Sequence, residues 1–183
     1  MTLFTDATDA FGARLRAVTA EQWAAPTPDD DWDVRALVNH VAGEVLWLPP
    51  MLAGKTIAEV GDRFDGDLLG DDPLATWNAG VAEAVHATEA VDSATIVHLS
   101  YGDRTAAEYL HEVGADVLVH TWDLARAIGA DEQLPSDRVE EVAAWFADVE
   151  DLWRGAGVIG PRPSVRPEAD AQTRLLAAFG RAV

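Results

Sequence analysis

Cysteine is absent from all 183 residues. That excludes disulfides, Cys-ligated zinc, iron–sulfur clusters and a cysteine nucleophile together, so any thiol chemistry must use a thiol supplied from outside. Positive charge is scarce: 13 Lys and Arg stand against 32 Asp and Glu, a formal charge of −19, and Lys55 is the only lysine. A surface this acidic repels phosphate, and no local Lys/Arg cluster reverses it, so neither nucleic acid nor an anionic membrane is expected as a partner. No apolar run approaches the roughly 18 residues of a spanning helix. The start, Met1-Thr2-Leu3-Phe4-Thr5-Asp6, carries an acid and lacks the basic region of a secretory signal. The expectation is a soluble cytoplasmic protein, monomer or homodimer. What is present in quantity is apolar: 49% of residues are hydrophobic, enough for one compact domain over 1–183.

No repeat or low-complexity segment occurs, and helical periodicity dominates. Leu3, Ala7, Phe11, Leu15 and Val18 recur at spacings of four or three and predict a first amphipathic helix. Residues 22–31, with Pro26 and Pro28, read as a loop, and Asp30 or Asp31 is expected to cap the next helix. That helix is predicted from about Trp32 to Leu48, ended or kinked by Pro49-Pro50. Residues 54–72 form a Gly- and Asp-rich link long enough for the next helix, Pro73 to Ala90, to run parallel to its predecessor. Thr95–Leu99 alternates as a short strand, with Tyr101-Gly102-Asp103 as a turn. Two further helices are predicted over Thr105–Ile128, stopped by Gly129, and Ser136–Trp153. The whole reads as an all-α four-helix bundle with an extra helix and a short β-hairpin (about 1–155). A proline-containing tail (about 156–183) packs on it through Leu175–Phe179.

Several motifs fail on context. Gly155-Ala-Gly157-Val-Ile-Gly160 matches a dinucleotide fingerprint as a string, but a helix precedes it and Pro161-Arg162-Pro163 follows, so a glycine-rich helix exit is the better reading. His111-Glu112 begins like a zinc-protease motif, but position 115 is Ala. No serine sits in a nucleophile elbow.

Five histidines remain, and helix geometry at about 100° per residue sorts them. On the 105–128 helix the stripe of Leu110, Val113, Val117, Leu124 and Ile128 contains His120 and leaves His111 roughly opposite, toward solvent. Asp116 lies four residues before His120 on the same side. His40 flanks the buried face of the second helix. His86, near a helix end, and His98, sharing a strand face with Ile96, read as structural. A buried Asp beside a buried His implies either an ion pair or a shared cation. With His40 from the facing helix the set becomes His-Asp-His, which suits Zn²⁺, Fe²⁺, Ni²⁺ or Mn²⁺ and leaves coordination positions open. Asp123 shares that side of the helix. It is expected to support the site, by accepting from a ligand imidazole or by pairing with Arg35.

Two stretches carry a family resemblance: Trp23-x-x-Pro26-Thr27-Pro28 followed by Trp32-Asp33-Val34-Arg35-Ala36-Leu37-Val38-Asn39-His40-Val41, and Asp116-Val117-Leu118-Val119-His120-Thr121-Trp122-Asp123-Leu124-Ala125-Arg126-Ala127. With the ending Phe179-Gly180-Arg181, they resemble the DinB-like superfamily, specifically the metal-binding domain of mycothiol-dependent maleylpyruvate isomerases. The resemblance implies an up-down-down-up bundle. It also implies a divalent metal (Zn²⁺ first, with Ni²⁺, Fe²⁺ or Mn²⁺ as alternatives) on His40, Asp116 and His120. Mycothiol or another small thiol would be the co-substrate, and a small electrophile the substrate. The family acid is Glu where this chain has Asp116, one methylene shorter. The isomerase proper also has a further C-terminal domain that this length does not hold in full. A thiol S-transfer is therefore expected equally with isomerisation, and the competing expectation is a non-catalytic metal- or ligand-binding bundle acting through a partner. No other catalytic residue is singled out.

Overall fold

The computed structural model describes residues 2–29 and 31–183. Their regular elements are α1 (Leu3–Leu15), a 3-10 turn (Ala20–Ala24), α2 (Val34–Leu52), α3 (Ile57–Val60), α4 (Pro73–Ala90), β1 (Ile96–Leu99), β2 (Gly102–Thr105), α5 (Ala106–Ile128), α6 (Ser136–Gly155) and α7 (Ala171–Ala178). The helix ends follow local chemistry. Asp72 caps α4 through the Ala75 amide, with Pro73 just inside, where its missing N–H costs nothing. Thr105 and Glu108 form a reciprocal capping box at the start of α5, and Gly129, in the left-handed region at φ 68°, ends it.

Two expectations for α2 need correction. Of its two anticipated caps, Asp30 lies outside the described residues and Asp31 does not cap. The cap is Asp33, whose Oδ1 accepts from the Ala36 amide at 2.8 Å. Nor does the helix stop at Leu48: it runs through Pro49 and Pro50 to Leu52. Each proline forgoes one bond to a carbonyl of the preceding turn, and the burial of Met51 and Leu52 in the core by the turn they begin offsets that loss.

α1 packs on α5, α5 on α2, α2 on α4 and α4 on α1, closing a ring of four helices. Contacts fix the directions. The link after α2 travels back along it: Phe64 meets Trp47 edge to face, Asn39 holds the backbone of Gly66 and Leu68, and Arg35 reaches the Gly70 carbonyl. α4 therefore starts beside the beginning of α2 and runs parallel to it, with Gly80 against Leu46 and Val45. Gly114 of α5 meets Leu3 and Phe4 of α1, while Arg14, at the other end of α1, bonds the carbonyls of Asp131 and Gln133. These two helices are also parallel. The order is up-down-down-up.

α6 and α7 form an outer layer, whose Phe146 stacks on Phe179 at 3.9 Å between centroids. This layer makes α5 the central helix, buried almost continuously from Val113 to Ala125. β1 and β2 pair antiparallel in the register Ile96 with Thr105 and Leu99 with Gly102. His98 does share a face with Ile96, but that face is exposed and Val97 is the buried residue.

Candidate metal centre

His40 projects from α2, and Asp116 and His120 from successive turns of α5. Nε2 of His40 lies 3.4 Å from Asp116 Oδ2, and Nε2 of His120 lies 3.4 Å from Asp116 Oδ1. One ligand atom from each of the three falls within 4.8 Å of the others. The two imidazoles meet edge to face at 5.1 Å, and Trp32 packs against both, at 4.6 Å from His40 and 5.7 Å from His120.

His120 is held from behind. Its Nδ1 bonds Asp123 Oδ2 at 2.8 Å. With the ring N–H on that side, Nε2 is the nitrogen turned toward Asp116, free to offer a lone pair where a cation displaces its proton, the arrangement by which carboxylates orient metal-binding imidazoles. Asp123 is fully buried, and its charge is balanced by Arg181. That guanidinium donates Nε to Oδ1 at 3.0 Å and Nη2 to Oδ2 at 2.8 Å, while Nη2 also bonds Asp29 Oδ2 at 2.8 Å. Asp29, His120 and Asp123 form a second close group. Arg181 already supplies its counter-charge, so that group is not a vacant cation site.

The electrostatics follow from this layout. Burial alone would raise the Asp116 carboxyl, but the facing imidazoles, His120 ahead of His40, reverse that and hold it far below the ordinary carboxylate range. Burial alone would lower His120; Asp116 and then Asp123 override it and push the imidazole up to about 10. Asp123, which burial would raise, is lowered by His120 and Arg181. Glu44, one turn beyond His40, moves the other way, raised first by burial and then by the negative charge of Asp116.

One atom remains unmet: Asp116 Oδ2 is sealed from solvent and accepts no hydrogen bond. Two imidazole nitrogens and a carboxylate oxygen without a donor fit a divalent transition metal better than they fit an internal ion pair. The residues present therefore suit the metal that the resemblance implies.

The sequence-predicted residues fare unequally. His40, Asp116 and His120 come together, and Asp123 stands behind His120. Arg35 does not join them: it pairs with Asp67 at 2.8 Å and bonds the Gly70 carbonyl, because its place in the first turn of α2 faces the returning link. Arg181 takes the role proposed for Arg35. His111, expected in solvent, packs on Trp145 at 4.9 Å because α6 covers that side of α5. Asp29, Trp32, Glu44 and Arg181 were not singled out as site residues; only the Trp32 and Arg181 motifs signalled them.

His40 and Asp116 also form part of the wall of a cavity of about 350 Å³, between the hairpin, α5 and the end of α6. A larger hollow of about 810 Å³, walled by Leu3, Phe4, Val85, Val91 and Leu110, contains no residue of the cluster.

An up-down-down-up helical ring with its His-Asp-His cluster shared by the second and last helices defines a protein of the DinB-like, all-α class. The chain belongs to the family described as the mycothiol maleylpyruvate isomerase N-terminal domain, whose profile matches residues 4–125. It is 35% identical over 182 residues to the uncharacterized proteins Rv0738 and MT0763 of Mycobacterium tuberculosis, strains H37Rv and CDC 1551. In each case 97% of this chain and 94% of the relative are covered. No solved structure matches.

Proposed function

We propose that the chain binds a divalent transition metal, Zn²⁺ in first place, through His40, Asp116 and His120, and uses mycothiol or a similar small thiol to isomerise or S-conjugate a small electrophile. The observation that carries this reading is the Asp116 carboxylate set between two imidazole nitrogens, Oδ2 toward His40 and Oδ1 toward His120, with Oδ2 sealed and without a hydrogen bond. Family membership supports the thiol, as does a chain without cysteine of its own. A bound cation would supply a Lewis-acid position at which a thiol ionises near neutral pH.

The chain's own residues do the rest. Asp123 and Arg181 fix the ring plane of His120 and keep its Nδ1 proton in place. Trp32 covers both imidazoles on one side and excludes water there. The cavity beside His40 and Asp116 gives a substrate access to the same side of the cluster. Asp116, one methylene shorter than the glutamate of the family pattern, draws the carboxylate closer to α5.

Elemental analysis after dialysis tests the ligand set. His40→Ala, Asp116→Ala and His120→Ala should each lose the metal and His111→Ala should keep it; full stoichiometry in the first three overturns the assignment. Titrating the Co²⁺-substituted protein with mycothiol tests the thiol. A near-ultraviolet charge-transfer band is expected, and its absence at millimolar thiol in folded, metal-loaded protein overturns thiol use in favour of a non-catalytic binding bundle.

A further inference from the structure

The cavity beside the cluster, at about 350 Å³, is near the lower end of the roughly 300–1,000 Å³ typical of small-molecule sites. Its walls are mainly aromatic and aliphatic: Tyr101, Tyr109, Val113, Leu152, Trp153 and Val158. Tyr101, Leu152 and Val158 are 59%, 65% and 63% exposed, so these large apolar groups are not there to fill the core. They form an apolar edge to a site whose floor is polar, the usual build of a pocket that takes an apolar body and fixes one reactive end.

The charges of the wall point the same way. Its carboxyl groups are Glu44, Glu112 and Asp116, and Arg104 is its one guanidinium among the described residues. Arg104 is already engaged. Its Nε donates to Glu112 Oε1 at 3.2 Å, its guanidinium lies 5.3 Å from the Tyr101 ring centre, and the Tyr101 hydroxyl donates to Glu112 Oε2 at 2.6 Å. Arg104 therefore cancels Glu112. The two charges of a bound divalent cation would be balanced by Asp116 and a thiolate, and without the cation Asp116 is paired with His120. No positive charge is left for a carboxylate on the substrate, which would enter an apolar, acid-lined space without a partner.

We infer that this cavity selects uncharged electrophiles with an aromatic or branched aliphatic body and disfavours anionic ones. Maleylpyruvate, the compound in the family's description, is a dicarboxylate and lacks these features. The inference rests on the proposed function for the reaction, but its selectivity belongs to the cavity walls and can be read without thiol or turnover.

The test is calorimetric titration of the full chain, after chelation so that no open metal position can take a carboxylate, with methyl cinnamate and cinnamate, a pair differing chiefly in charge. The ester is expected to bind the chelated protein at least about tenfold more tightly than the acid does. Leu152→Ser and Val158→Ser, at exposed positions that leave the fold intact, should each weaken ester binding severalfold, and Trp153→Ala should do so more strongly. Equal or tighter binding of cinnamate, no measurable ester binding, or an ester affinity untouched by the two serine variants overturns the inference. Because the protein is measured in its chelated form, a missing cobalt–thiolate band would sink the proposed function while leaving this result standing.

Discussion

Removing Arg181 is the most informative single perturbation. Asp123 is fully buried and Arg181 keeps only 13% of its side-chain surface exposed, so solvent screening offers little relief. In Arg181→Met the apolar stem remains, but Asp123 loses its bonds from Nε and Nη2 and retains only the one from His120. Breaking a buried ion pair on one side costs about 3–5 kcal/mol, and the surviving imidazole bond places this case near about 3 kcal/mol. A domain of this size shifts by roughly 2–4 °C per kcal/mol, so the melting temperature should fall by about 6–12 °C. Urea denaturation of the chelated protein measures the loss without metal contributing to stability. Asp123→Asn should weaken metal binding by about 10–100-fold, read by competition with a chromophoric chelator. The double variant should be less destabilised than the sum of the two single ones, since both remove the same contact. A loss under about 1 kcal/mol in Arg181→Met, the range of an exposed pair, would refute the claim that this guanidinium neutralises the buried carboxylate.

Three further outcomes follow from the packing. Gly114→Ala places a Cβ 2.9 Å from Leu3 Cγ and 3.1 Å from the Phe4 amide nitrogen; because a backbone atom cannot yield cheaply, it should destabilise by about 1–3 kcal/mol despite alanine's better helix propensity, measured by chemical denaturation. Asp33→Ala should cost about 1 kcal/mol through loss of the α2 cap, with metal stoichiometry unchanged, since His40 lies two turns further on. His111 is pushed down by burial against its ordinary value, so the unfolded chain takes up that proton first. Stability should fall as pH drops through the ordinary histidine range, and His111→Gln should flatten the fall relative to the parent in melts at pH steps; an identical slope would remove the argument.

The fold was legible where the chain signals locally. The Asp72-Pro73 start and the Gly129 stop are written in adjacent residues, and α4 and α5 appear where those signals place them. The side of α5 that carries Asp116, His120 and Asp123 follows from spacing alone. Other features depend on partners that spacing cannot show. His111 looked solvated because a periodicity argument assumes one buried face, and α5 is enclosed by α1 and α2 on one side and α6 on another. Arg181 is 58 positions from Asp123, with no local pattern linking them. The prolines of α2 read as a stop or a kink, and the burial of Met51 and Leu52, which holds the final turn, is a tertiary effect that local sequence does not show.

The meeting of Asp29, Asp123 and Arg181 also bears on the order of folding. Arg181 reaches across 58 positions to one aspartate and 152 to the other. Contacts that close such long stretches of chain come late, after the local helical turns and their nearest packings have formed. The helices can therefore gain their helical signal, and α2 its packing on the neighbouring α4, while His120 is still loosely oriented. Refolding followed by circular dichroism should run ahead of refolding followed by metal capture, so that the capacity to bind is the last property the chain acquires.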